Sequence, residues 1–266
     1  MSEQNDESAV LVDIDDGVAT IRFNRPKALN ALNVDMAKRF RDIVAEIVAR
    51  DDVRIIVLCG NGRAFVAGGD LAYFRSAGDS APQAARELIA PMHQAIEQLI
   101  NARQPVVASV HGSVAGAGVS LAVAADLVIA ADNTVFNLAY IKIGNSPDCG
   151  ASWMLPRVLG VRKAMELALL GENTSAEEAQ RIGLVNRVVP HESLAEETLK
   201  LARKLASMAP LGLAATKRLV NSSLQTPLRE QLDREAESFA SNAGTADFRE
   251  ALDAFFEKRP PIFEGR

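Results

Sequence analysis

The apolar positions along the chain switch between two periods. Residues 9–23 alternate around Asp15-Asp16-Gly17, which predicts a β-hairpin closed by an Asp-Gly turn. From Asn33 to Arg50 the spacing changes. Met36, Phe40, Ile43, Val44 and Ile47 recur at three- and four-residue steps, as on a helix with one buried face. Val53 to Cys59 is a short apolar run suited to a buried strand, and Gly60 to Gly69 reads as a glycine-bearing loop. A second helical period covers 81–102, followed by a strand over Pro105 to Val110. A glycine- and alanine-rich turn then opens a helix at 116–125, and Leu127 to Ala131 returns as a strand. Strands separated by helices imply crossover connections and a largely parallel sheet, hence an α/β fold.

From Gly150 the pattern is almost wholly helical, and Pro210 and Thr226-Pro227 mark helix starts. The expected division is a core over 1–205 and a helical region over 206–266. The wide apolar faces of that region suit a neighbouring subunit or the chain's own core equally well. The longest apolar run, Val114 to Ala131, contains Gly116, Gly118, Ser120 and Asp126. It reads as a buried helix and strand, not a membrane span.

Composition narrows the function classes. The chain has 266 residues, 48% apolar and 24% charged, which excludes a disordered or low-complexity protein. Its 29 basic and 34 acidic residues leave a net charge of −5, so no general basic field awaits nucleic acid or an acidic membrane. With two cysteines (Cys59 and Cys149) and three histidines, neither a disulfide framework nor a Cys/His metal site is expected. Met1 to Ser8 is polar and acidic, unlike a signal peptide. A cytoplasmic, reduced protein is expected.

Two glycine-rich turns follow strands: Gly62-Arg63-Ala64-Phe65-Val66-Ala67-Gly68-Gly69-Asp70, and His111-Gly112-Ser113-Val114-Ala115-Gly116-Ala117-Gly118. Small residues let a ligand approach the backbone, and free amides at a helix N-terminus face developing negative charge. Two such turns can supply two amides to one oxygen; tight packing between elements is the alternative. Neither turn matches a Walker loop or a dinucleotide fingerprint.

Taken in order, several segments resemble the enoyl-CoA hydratase/isomerase (crotonase) superfamily. They are Asn24-Arg25-Pro26-Lys27-Ala28-Leu29-Asn30-Ala31-Leu32, Ala64 to Leu71, Pro105 to Gly112, Ala115-Gly116-Ala117-Gly118, Ala125-Asp126-Leu127 and Phe255-Phe256-Glu257-Lys258-Arg259-Pro260. The resemblance spans about residues 9–265. It implies a spiral of ββα units with a C-terminal helical trimerisation region, and an acyl-CoA thioester ligand. Coenzyme A then enters as part of the substrate, with no other cofactor and no metal. The assembly implied is a homotrimer or homohexamer. The resemblance maps two oxyanion-hole amides onto Gly69 and Ala117. It makes Lys27, Ala28, Leu29, Ala67, Gly68, Asp70 and Leu71 candidate ligand contacts, and lets Phe255 and Lys258 reach the nucleotide of a neighbouring subunit.

The departures from the family pattern bear on the reaction. Hydratases of this family use two glutamates on one water; the matching positions here are Ser120 and Tyr140. Neither is a competent base near neutral pH. One carboxylate remains in the region, Asp148, in Gly144-Asn145-Ser146-Pro147-Asp148-Cys149-Gly150. Before a helix expected at 149–159 it can act as an N-cap. The segment also resembles that of single-aspartate isomerases of the phenylacetate-degradation type, whose acid/base residue matches Asp148. The reading favoured is double-bond migration through a thioester enolate. Three alternatives stay open. One is 4-chlorobenzoyl-CoA dehalogenase-like or hydrolytic chemistry with Asp148 as nucleophile, assisted by His93. Another is hydration, and the third a non-catalytic acyl-CoA-binding trimer.

Overall fold

A computed structural model describes residues 8–266. The reading of Met1 to Asp6 and Glu7 as a polar, acidic start lies outside the described residues. In chain order the elements are β1 (Val10–Asp15), β2 (Val18–Phe23), α1 (Val34–Val48), β3 (Ile55–Gly60), β4 (Ala64–Val66), α2 (Leu71–Ala77) and α3 (Ala81–Asn101). Then follow β5 (Val106–Val110), β6 (Ser113–Ala115), α4 (Ala117–Ala124), β7 (Leu127–Ala131), β8 (Val135–Asn137), α5 (Ala151–Leu159) and α6 (Val161–Leu170). The chain ends with β9 (Thr174–Ser175), α7 (Ala176–Arg181), β10 (Arg187–Val189), α8 (Leu194–Ala206), α9 (Pro210–Ser223), α10 (Leu228–Ala243) and α11 (Ala246–Glu257).

The hairpin is as expected: Asp16 and Gly17 both take positive φ, 47° and 75°, as a two-residue turn matched to strand twist requires. Helix α1 is capped by the Asn33 side chain, which accepts the Met36 N–H. Its buried face carries Met36, Phe40, Ile43, Val44 and Ile47, the residues picked out by period. Phe40 packs on Phe23 with ring centroids 5.1 Å apart, joining α1 to the sheet.

Two sheets result. The larger runs β1-β2-β3-β5-β7-β10, antiparallel at the hairpin and parallel from β2 onward; the smaller runs β4-β6-β8-β9. The pairs β3/β4, β5/β6 and β7/β8 each send their first strand to the large sheet and their second to the small one. A helix closes each pair, so the chain winds as a spiral of ββα units. The strands of the second sheet were not foreseen, and the stretch 60–69, expected as loop, contains β4. The region after Gly150 is less purely helical than expected, since β9 and β10 close the edges of the two sheets.

The units pack closely where α4 meets β4. A Cβ at Gly118 would lie 2.0 Å from the Val66 carbonyl oxygen. Backbone cannot yield there without moving the strand, so Gly118→Ala is expected to lower stability by at least ~1–3 kcal/mol. Urea denaturation of the variant checks this.

Part of the 206–266 region packs on the chain's own core. The Lys217 ammonium of α9 is buried, 2.8 Å from Asp126 Oδ2, and donates to the carbonyls of Leu99 and Gln104. Arg54 holds the main chain at Ala206 and Phe263. The outer helices still expose large apolar side chains, Leu228, Phe239 and Phe255 among them. Among the described residues no helix is long and apolar enough to cross a membrane.

Candidate active site

The site forms where two ββα units abut. After β4 the chain turns at Gly68, with φ of 89°, and after β6 it turns at Gly116, with φ of 51°. The turns lie back to back: a Cβ at Gly116 would sit 3.5 Å from Gly68 Cα and 3.9 Å from Tyr140 Cζ. The first turn is held by a bridge between Leu32 and Gly69. In that bridge Leu32 N–H donates to Gly68 O, and Asp70 N–H donates to Leu32 O. The ladder therefore passes by the Gly69 N–H, which has no acceptor among the described residues. Ala117 is the first residue of α4, so its N–H is one of the orphan donors of a helix N-terminus.

Both amides border one cavity of about 510 Å³. Its walls are mainly apolar, with Leu32, Phe74, Leu88, Met92, Ala139 and Ile143 among them. Among the described residues Asp148 is the only carboxylate in the lining, and Asn145, Tyr140 and Cys149 bring the other polar side-chain atoms. Of the expected site residues, the fold brings Gly69, Ala117, Asp148, Ala67, Gly68, Leu71 and Tyr140 to this cavity.

Asp148 does not cap α5. That helix starts at Ala151, its N-cap is Gly150 with φ of 82°, and no side chain bonds its first turn. Two consecutive left-handed residues, Cys149 at 52° and Gly150, reverse the chain between Asp148 and the helix. The carboxylate is thereby left to the cavity. Tyr140 OH donates to Asp148 Oδ1 at 2.5 Å, and Ser120 Oγ donates to the Asp148 carbonyl at 3.0 Å. Burial first, and the adjacent Asp148 second, push the Tyr140 phenol far above its ordinary range. It remains a neutral donor. Burial and the same carboxylate push the Cys149 thiol up, which favours its protonated form.

The other expected site residues lie outside this lining. Asp70 is the N-cap of α2: its Oδ1 accepts the Ala72 and Tyr73 amides, while Oδ2 pairs with Arg25 at 3.0 Å. Lys27, Ala28 and Leu29 form a turn beside the Gly68 loop, where Leu29 O accepts the Ala67 N–H. His93 is exposed on α3, lines a neighbouring cavity and accepts the Cys149 N–H on Nε2 at 3.3 Å. Phe255 and Lys258 sit at the exposed end of α11.

One supporting residue was missed. Asn30 is fully buried, takes a positive φ of 57°, and donates from its amide to the carbonyls of Asn61, Ala64 and Phe65. It thus fastens β4, the strand that leads into the turn with Gly69. The available signal was a lone asparagine between Leu29 and Ala31, a residue type that tolerates the left-handed region and bonds backbone locally.

A spiral of ββα units, with amides from two units and one carboxylate bordering a mainly apolar cavity, defines a class of α/β enzyme. The chain belongs to the enoyl-CoA hydratase/isomerase family, whose model matches residues 13–266. It is 38% identical over 259 residues to the 1,2-epoxyphenylacetyl-CoA isomerase of Escherichia coli K12, covering 97% of this chain and 98% of that one. It is 42% identical over 254 residues to a protein of Rhodobacter capsulatus named "Probable enoyl-CoA hydratase", covering 96% and 97%. The crystal structure of an enoyl-CoA hydratase from Polaromonas sp. JS666 superposes with a TM-score of 0.92 at 33% identity, covering 97% of this chain and 100% of that one. The fold is the crotonase fold.

Main-chain donors can be tested directly. Ala117 occupies the first helical position, where proline is tolerated and only the N–H is lost. Ala117→Pro is expected to lower kcat by on the order of 10²- to 10³-fold, as for loss of one oxyanion donor. Steady-state kinetics with a circular dichroism melt separates this loss from unfolding.

Proposed function

We propose that this acyl-CoA enzyme moves a double bond of an enoyl-CoA by a 1,3-proton shift, with Asp148 as its acid/base. The observation that carries the reading is the single carboxylate in the cavity that also presents the Gly69 and Ala117 amides. Asp148 takes a proton from C2 or C4 of the thioester, and the C–H electron pair passes into the enolate. The enolate oxygen rests on the two amides, which favour it over the ground-state carbonyl. The protonated Asp148 then returns the proton to the other carbon. The carboxylate is regenerated, and no water is consumed.

Hydration calls for a second acid/base group beside the water, and Ser120 and the high-lying Tyr140 phenol do not supply one. Displacement by Asp148 draws no support from His93, which lies outside the cavity lining. The apolar walls favour a hydrocarbon acyl group, open-chain or ring-derived. Coenzyme A enters only as part of the substrate, with its nucleotide end along Lys27, Ala28 and Leu29 and near a neighbouring subunit's Phe255 and Lys258 equivalents. The apolar side chains exposed on α10 and α11 support a homotrimer or homohexamer. A cytoplasmic setting suits the two free cysteines.

The test is incubation with 2-enoyl-, 3-enoyl- and halobenzoyl-CoA in D₂O, read by mass spectrometry. Double-bond migration with deuterium uptake is the expected result. Addition of D₂O across the double bond, or loss of halide, would overturn it.

A further inference from the structure

The positions where hydratases of the family carry glutamates are occupied here by Ser120 and Tyr140, and both side chains bond Asp148. Ser120, fully buried on α4, lies 3.2 Å from the Tyr140 hydroxyl and 3.0 Å from the Asp148 carbonyl oxygen. Tyr140, almost fully buried, spends its proton on Asp148 Oδ1. A phenol and a serine hydroxyl carry one hydrogen each; with both directed at Asp148, the approach of Ser120 to Tyr140 is a packing contact. One residue therefore fixes the Asp148 main chain and the other its carboxylate. Among the described residues, no N–H or O–H donor reaches Asp148 Oδ2, and the Cys149 thiol is a weaker S–H donor to the same carboxylate.

We infer that Tyr140 and Ser120 are positioning residues that clamp Asp148, with the phenol covering Oδ1 so that Oδ2 alone carries the migrating proton. The inference rests on the isomerase reading for its catalytic meaning, while the clamp itself is a property of the fold. Asp148 needs such support. It follows a non-helical stretch and precedes two left-handed residues, so no helix or strand orients it. A proton carried between C2 and C4 on one face of the substrate requires one oxygen to reach both carbons without the carboxylate swinging. A donor fixed on the other oxygen supplies that restraint and remains bonded in both protonation states, since a neutral carboxyl's second oxygen still accepts. The other titratable group lining the cavity, Cys149, is neutral and adds no competing charge.

The test uses Tyr140→Phe and Ser120→Ala beside wild type and Asp148→Asn. Tyr140→Phe removes one oxygen from an otherwise unchanged ring. Loss of a hydrogen bond to a charged group corresponds to about a 10- to 100-fold fall in kcat. KM should stay within about twofold, because the amides that hold the thioester are untouched. Ser120→Ala should lower kcat in the same direction by a smaller factor. Unchanged kcat in Tyr140→Phe, with Asp148→Asn inactive, would overturn the clamp and leave the base assignment standing.

A readout without turnover tests the clamp even if the isomerase reading fails. The chain has two tyrosines, Tyr73 and Tyr140, so a Tyr73→Phe background leaves one to titrate by tyrosinate absorbance. With Asp148 present, no tyrosinate should form through roughly pH 11. Adding Asp148→Asn should bring ionisation to lower pH. Identical titration in the two proteins would overturn the clamp. Full activity of Asp148→Asn with distinct titrations would instead overturn the isomerase assignment alone.

Discussion

Asp148→Asn is expected to lower the rate of double-bond migration by on the order of 10²- to 10⁴-fold, the usual contribution of a positioned acid/base group. Asparagine has nearly the same shape, and its amide oxygen can still accept the Tyr140 hydroxyl. It cannot take a proton from carbon at neutral pH. The Gly69 and Ala117 amides are main-chain groups of other units and remain in place. Affinity for a saturated acyl-CoA should therefore be retained while turnover falls. Calorimetric binding and stopped-flow turnover measure the two quantities separately. Turnover equal to wild type would remove Asp148 from the mechanism.

Lys217→Met is expected to destabilise the protein by about 3–5 kcal/mol, the range found when one partner of a buried ion pair is removed. Methionine fills much of the space of the lysine stem. It leaves the Leu99 and Gln104 carbonyls without their donor and the Asp126 carboxylate without its cation. Asp126 keeps the Val106 amide at 2.7 Å, which is not enough to hold a partly buried charge. The double variant Lys217→Met/Asp126→Asn should regain part of the loss, since it removes the stranded charge. The pH dependence has a definite sign. Burial already raises the Asp126 carboxyl, and removing Lys217 takes away the interaction that lowers it. In the single variant the folded-state value lies above the unfolded one. The variant's deficit should therefore be smallest in acid and grow as pH rises through the folded-state value. Urea denaturation across that range, against the double variant, measures it; equal stability of wild type and Lys217→Met would show that the pair is dispensable.

Long elements with a full period were legible in the sequence, and short ones were not. Helix α1 spans 15 residues, enough for the three- and four-residue recurrence of its apolar face to stand out. Strands β4, β6 and β8 have three residues each and lie between glycine-rich turns, so they have no period to read. They are strands because neighbouring units place them side by side, which is tertiary information. The same holds for the site. The amides at Gly69 and Ala117 and the lone aspartate were expected by resemblance to the family. Asp148 looked able to cap a helix only because the left-handed turn at Cys149 and Gly150 has no strong signature in a Cys-Gly pair. Tyr140 was legible as a missing glutamate. Its bond to a residue eight positions onward depends on a turn whose path no local pattern records. Asp70 was expected at the ligand by resemblance; the structure shows it capping α2 and paired with Arg25, which its position before Leu71 allows.

On the proposed mechanism both oxyanion donors belong to the main chain, so the part of the site that stabilises charge carries no side-chain signature. One donor residue is already alanine and the other is glycine. An alanine scan of this protein would pass over Ala117 altogether. At Gly69 it would register only the crowding of a new Cβ, 3.0 Å from Phe74, and leave the N–H in place. Tolerance maps built from side-chain replacement would therefore score the acid/base group as the whole of the active site. The amides would become visible only to changes that act on the peptide bond itself, such as proline or an amide-to-ester exchange.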